Sequence, residues 1–212
     1  MRKLNILIAE GHFMIRKGMI QALEGTHLAD SILEAKTGAQ AVALALAHSI
    51  DLIIIAYILP ELNGFEVARQ ILHKKKNIKI LVYTQYDELP VVLNFLKIGV
   101  KGFLTKLEGD KEITDAIRSI MNGDYYYVSQ FDDHVNEWIE GNMTHPIPII
   151  HFSKREIQMV TLLSKGNTAI EVAKEMEVSV RTIETYRYDL IKKTAVSNTA
   201  ELIGYSYRNG LI

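Results

Sequence analysis

Residues 51–64 read DLIIIAYILPELNG. Leu52, Ile53, Ile54 and Ile55 form an unbroken aliphatic run, largely β-branched, and Pro60 with Asn63-Gly64 closes it with turn formers. A strand wetted on one face alternates apolar with polar residues. An unbroken run instead marks a strand covered on both faces, as at the centre of a parallel sheet. In open α/β sheets ligands and chemistry gather beyond the carboxyl ends of the strands. The residue after Ile55 therefore faces the candidate site, and it is Ala56. A methyl group offers no acid, base, nucleophile or metal ligand.

Outward from this strand the pattern repeats. On the N-terminal side, Leu4 to Ala9 reads as a short strand followed by Glu10-Gly11-His12. Phe13, Ile15, Met19, Ile20 and Leu23 then give a helical pattern, Leu28 to Ala35 a second strand, and Ala39 to Ala47 an Ala/Leu-rich helix. On the C-terminal side, Phe65, Val67, Ala68, Ile71 and Leu72 recur at helical spacing and Ile78 to Thr84 makes a fourth strand. Val91, Val92, Phe95, Leu96 and Ile98 mark a helix stopped by Gly99, Gly102 to Thr105 a short fifth strand, and Ile113 to Met121 a fifth helix. Five strands alternating with five helices predict an α/β domain over 1–122, a doubly wound five-stranded parallel sheet with right-handed crossovers.

The pattern changes at Gly123. Residues 123–151 read as a linker: Tyr125-Tyr126-Tyr127 is expected to pack at the domain edge, with a dimer contact as the alternative, a short helix runs around Gln130 to Glu140, and Pro146-Ile147-Pro148 favours an extended connector. Residues 152–212 carry successive helix starts. Ser153 with Glu156, Thr168 with Glu171 and Asn198 with Glu201 fit capping boxes or close analogues, Ser179 is a further N-cap, and Gly166 can end the first helix. Four short helices predict a small all-α domain.

Composition sets bounds on function. The 212 residues suit one or two domains, and 48% hydrophobic content argues against a mainly disordered chain. Residues 1–151 hold 15 Lys+Arg against 18 Asp+Glu, a net of −3, while 152–212 hold 9 against 7, a net of +2. The mild basicity of the second part permits a polyanionic partner. Without cysteine there are no disulfides or thiolate metal sites. The longest charge-free run, Thr37 to Ile50, has 14 residues, short of the ~20 that span a bilayer, and a cytoplasmic protein is expected. The seven histidines show no zinc spacing, so a zinc site is not expected, and no cofactor is expected either. The Lys74-Lys75-Lys76 run reads as a solvated helix end, where cations offset the helix dipole.

Thr168 to Met176 and Ser179 to Thr194 form two helices around Glu177-Val178, the layout of a helix-turn-helix. On the second helix Ile183, Tyr186 and Leu190 share one face and pack inward, which turns Arg181, Glu184, Thr185, Tyr188 and Lys192 outward. Arg155-Glu156, Gly166, Ile170 to Ala173, Val178-Ser179, Thr182-Ile183-Glu184-Thr185 and Arg187 closely resemble the DNA-binding domain of the LuxR/NarL-FixJ transcription regulators. Tyr186 departs from the family's usual His, and Tyr188 and Asp189 stand where basic or amide residues are frequent. The resemblance implies that Thr182, Glu184, Thr185 and Tyr188 face the major groove. Arg181, Arg187, Lys192 and Lys193 would then make phosphate or flanking contacts to double-stranded promoter DNA, bound as a homodimer.

Residues 1–122 resemble the receiver domain of response regulators. In that family an acidic pair and an Asp hold Mg²⁺, the Asp accepts a phosphoryl group, and a hydroxyl and a Lys bind its oxygens. Laid onto this chain, the pair becomes Glu10 and Gly11, the acceptor Ala56, the hydroxyl Thr84, the lysine Lys106 and the switch aromatic Phe103. Asp51 lies at the other end of the strand, so the pocket is expected to be degenerate, without metal, and Lys106 is expected to pair with Glu10. These features together imply an atypical response regulator that is not an enzyme and acts without phosphorylation. An interaction protein, whose receiver captures another regulator or a gating ligand, is the alternative.

Overall fold

A computed structural model describes residues 2–85, 89–127, 131–141, 152–194, 196–208 and 211–212. The chain divides into two compact units, 1–147 and 148–212. The expected Pro146-Ile147-Pro148 connector lies outside the described residues, as does Gln130 at the start of the expected short helix.

The first unit is built on strands β1 (Leu4–Ala9), β2 (Ala29–Ala35), β3 (Leu52–Ile55), β4 (Lys79–Thr84), β5 (Gly102–Thr105) and β6 (Tyr126–Tyr127). They form one parallel sheet in the order β2-β1-β3-β4-β5-β6. Helices α1 (Phe13–Gly25), α2 (Gly38–Ala47), α3 (Gly64–Lys74), α4 (Leu89–Lys97) and α5 (Asp110–Asn122) connect the first five strands in turn and on to β6. All four residues of β3 are buried, because α2, α3 and α4 cover one face of the sheet and α1 and α5 the other. Ile53 and Ile55 join the first apolar layer and Leu52 and Ile54 the second, as the two-residue strand period requires.

The sheet has one strand more than the five read from the sequence. Tyr126 donates its N–H to Lys101 O at 2.8 Å, and Tyr127 buries its ring, with its hydroxyl on Val100 O at 2.8 Å. Burial pushes the Tyr127 phenol well above its ordinary pKa, so it stays a donor. Helix α6 (Asp132–Ile139) follows, and Phe131 and Val135 pack into the same layer as α4. Much of the stretch expected as linker thus belongs to the first unit's core.

The second unit holds α7 (Lys154–Ser164), α8 (Ala169–Glu175), α9 (Val180–Thr194) and α10 (Thr199–Arg208) around Met159, Val160, Leu162, Val172, Ile183, Leu190 and Leu202. Reciprocal caps start α7 (Ser153/Glu156) and α8 (Thr168/Glu171). Asn198 Oδ1 accepts the Glu201 N–H at 2.9 Å before α10. Gly166, at φ +89°, ends α7 in the left-handed region that glycine enters without strain.

Candidate receiver site and nucleic-acid interface

The first site lies at the carboxyl ends of β1, β3, β4 and β5. Parallel pairing in register sets Ala9 beside Ile55, so the next residues, Glu10 and Ala56, leave the sheet together, and Ala56 N–H bonds Ala9 O at 2.9 Å. Ala56 is 4% exposed and Glu10 1%. The Glu10 carboxylate accepts the His12 N–H at 2.7 Å, lies 3.0 Å from His12 Nδ1, and pairs with Lys106 Nζ at 2.5 Å. Burial alone would raise the Glu10 pKa. The hydrogen bonds from Lys106 and His12 outweigh it and hold the carboxyl below its usual range. Thr84 is buried, and its carbonyl accepts the Lys106 N–H at 2.7 Å. Glu10, Ala56, Thr84 and Lys106 are therefore gathered at one end of the sheet, with the half-buried Gly11 in the adjoining loop. Asp51 lies at the other end, bonded to Arg2 and to the Asn5 N–H.

Phe103 lies one layer below. It is fully buried, stacked on Tyr127 at 6.3 Å between ring centroids and tilted against Phe95 at 6.0 Å. The close approach of α3 fixes the β3 end from outside. A Cβ at Gly64 would stand 2.2 Å from Ala56 O, so only glycine lets α3 begin there.

Two residues that position this site escape a reading for receiver motifs. Arg16 is buried and ties the loop after β1, donating from Nη1 to Glu10 O at 2.7 Å and from Nε to Glu34 Oε2 at 2.9 Å. His12 supplies two of the Glu10 contacts. The available signal was a cation at position 16 on the stripe continued by Met19 and Leu23, where a buried guanidinium needs acceptors.

In the second unit, α8 and α9 meet at a tight turn with Glu177 at φ +55°. Ser179 Oγ accepts the Thr182 N–H at 3.1 Å and fixes the start of α9. Ile183 and Leu190 are fully buried and Tyr186 partly so, which leaves Arg181, Thr185, Tyr188 and Lys192 exposed, with Thr182 and Glu184 at the margin. Tyr188 is 66% exposed. Arg187 is tied to Glu184 one turn earlier, and Lys193 lies over the Phe152 ring and 3.9 Å from Glu156. Ile170 and Val180, near the starts of α8 and α9, are also exposed although both are apolar. A helix with this polar exposed face, standing on a capped turn over a packed partner, has the form of a helix that enters a major groove.

Residues 6–118 match the response regulator receiver domain family and residues 151–206 the luxR family of bacterial regulatory proteins. The chain belongs to the LuxR-type response regulators. These are DNA-binding transcriptional regulators, and this member has both of their parts. The response regulator UvrY of Escherichia coli strain K12 is 27% identical over 209 residues, spanning 98% of this chain and 95% of its own. The transcriptional regulatory protein LiaR of Bacillus subtilis strain 168 is 27% identical and spans 99% of both chains. RcsB from Salmonella enterica serovar Typhimurium, solved bound to promoter rprA, shares the fold. Its TM-score is 0.62 at 18% identity, covering 96% of this chain and 98% of that one. Among the described residues of this regulator, no three His, Asp or Glu side chains gather as ligands of a metal ion, and no helix is long and apolar enough to cross a membrane.

Proposed function

We propose that this regulator binds specific promoter sequences through α9 and that its receiver works without aspartyl phosphorylation. The observation that carries the second part is Ala56, buried at the end of β3 beside a Glu10 already engaged by Lys106. Phosphoryl transfer to the usual position needs a carboxylate nucleophile, and octahedral Mg²⁺ is held by one or two carboxylates besides phosphate oxygens. At this pocket Glu10 is the one acid of the family set, and its charge is spent on Lys106. The packing of Phe103 between Phe95 and Tyr127 supports reading this aromatic as a core ring.

Arg181, Thr182, Glu184, Thr185, Tyr188 and Lys192 form the reading surface, supported by their position on the outer side of α9. Arg187 serves the same surface by way of Glu184. Lys193 is better explained as a brace on Phe152 than as a phosphate contact. Two such helices in a homodimer would read two half-sites about one helical turn apart.

The test is selection of genomic fragments by the untreated protein, followed by titration of the selected sites with and without acetyl phosphate and Mg²⁺. Selective binding, unchanged mass and unchanged affinity are expected. A stable phosphoryl adduct on an aspartate would refute phosphorylation independence. A second reading, capture of a protein partner by the receiver, is favoured by Phe13, Met14 and Leu107. They stand 60%, 77% and 93% exposed on the loops and helix start that border the Glu10–Lys106 pair. Pull-down of one specific protein, lost in Met14→Ser/Leu107→Ser, would support it.

A further inference from the structure

The first unit carries a net charge of −3, yet its positive charge is unevenly placed. At the amino-terminal edge of the sheet, opposite the Glu10 site, the turn from α3 to β4 presents Lys74, Lys75, Lys76 and Lys79. Two clefts flank it. One, of about 550 Å³, runs past Lys74, Lys76, Lys79, Arg2 and Asp51. The other, of about 600 Å³, runs past Arg69, His73, Lys74 and Lys76. The acid facing the first cleft, Asp51, is neutralised by Arg2 and the Asn5 N–H. In the second, Arg69 is paired with Glu66.

A helix carboxyl end carries roughly half a negative charge, enough to offset one cation. Lys75 is used structurally, its Nζ on His48 O at 2.9 Å at the end of α2. Lys74, Lys76 and Lys79 make no ion pair among the described residues. The dipole therefore leaves about two of these cations unaccounted for. The second unit is net positive by +2, but few of its cations stand unpaired on the reading helix. Of the cations on α9, Arg187 is paired with Glu184 and Lys193 lies beside Glu156, which leaves Arg181 and Lys192 for phosphates.

We propose that the Lys74–Lys79 edge of the receiver binds the phosphate backbone of duplex DNA flanking the site read by α9. This rests on α9 being the reading helix. Phosphates recur along every duplex, so the contact adds affinity without sequence preference. Since both units belong to one chain, an interaction too weak to hold DNA alone is made at the local concentration their connection imposes.

The experiment uses the full chain and two duplexes: the selected site alone, and the same site with about two helical turns of scrambled flank on each side. Dissociation constants are measured at several salt concentrations for the wild type, for K74Q/K76Q/K79Q and for the control K36Q/K111Q. Each phosphate contact contributes about −0.9 to the slope of log K against log salt. The two lysines left unaccounted for would steepen the wild-type slope on the long duplex by about 1.8, or roughly 12-fold in affinity between 50 and 200 mM salt. The triple variant should lose this increment and keep wild-type affinity for the short duplex, and an unchanged thermal unfolding transition of its first unit reports that the receiver is still folded. The control should behave as wild type. Equal slopes for wild type and triple variant on the long duplex would overturn the inference while leaving the role of α9 intact. Failure of the wild type to select any site would overturn both.

Discussion

Replacing Glu10 by Gln removes one negative charge from a carboxyl group whose two oxygens are both in use. Oε1 serves the His12 N–H and ring, and Oε2 serves Lys106. A glutamine can keep one acceptor, but its NH₂ must then face a donor. Losing a hydrogen bond to a charged partner costs about 1.5–3 kcal/mol, and breaking a fully buried ion pair about 3–5 kcal/mol. Lys106 is 19% exposed and regains some hydration, so about 2–3 kcal/mol is expected. At roughly 2–4 °C per kcal/mol for a chain of this size, the first unit should melt about 4–12 °C lower. The sign of the pH dependence follows from the lowered Glu10 pKa. The pair stabilises fully above the unfolded value of about 4.3, and that contribution is lost as pH falls through the lower folded value. Thermal unfolding of wild type and variant should therefore differ most near neutrality and converge in acid. Glu10→Gln combined with Lys106→Met should recover part of the loss, because removing both partners leaves no orphaned charge. A gap that persists unchanged into acid, or no gap at neutral pH, would refute this account of the pair.

Ala56→Asp returns a carboxylate to the end of β3. With Mg²⁺ and acetyl phosphate, intact-mass measurement should find a phosphoryl group on this variant and none on the wild type; an unmodified variant would implicate Gly11 as a second missing acid. Gly64→Ala forces a Cβ to within 2.2 Å of Ala56 O and should cost about 1–3 kcal/mol in chemical denaturation, an unaltered midpoint counting against the close approach. Glu184→Gln frees Arg187 on α9, and the salt slope of DNA binding should steepen by about one unit. An unchanged slope would mean that Arg187 does not reach a phosphate.

What could be read from the sequence follows how much signal each feature spreads along the chain. The central strand was legible because four consecutive aliphatic residues leave no solvent face, and the second unit because its caps recur ahead of apolar helical stripes. β6 was not. Two tyrosines carry no period, and they become a strand only because β5 offers an open edge. The gathering of Glu10, Ala56, Thr84 and Lys106 was reached through resemblance, since partners 96 residues apart have no local signature. Arg16 shows the converse, a charge on an apolar stripe whose purpose appears once Glu10 O and Glu34 are beside it. The Glu184–Arg187 pair sits at a spacing that alone predicts contact on a helix, so the outward face of α9 carries an internal ion pair as well as free cations.

The same short β6 governs how these molecules meet one another when crowded. An uncovered β5 would hold out the backbone groups of Gly102–Thr105 to any extended chain, the template from which aggregates grow. Two paired residues, one with its ring stacked on Phe103, cover the first half of that edge, at Gly102 and Phe103. At the opposite margin β2 exposes Asp30 and Ser31, a polar border that discourages stacking of sheets side by side. Both borders of the sheet thus leave little open backbone edge for a second copy of the chain to pair with.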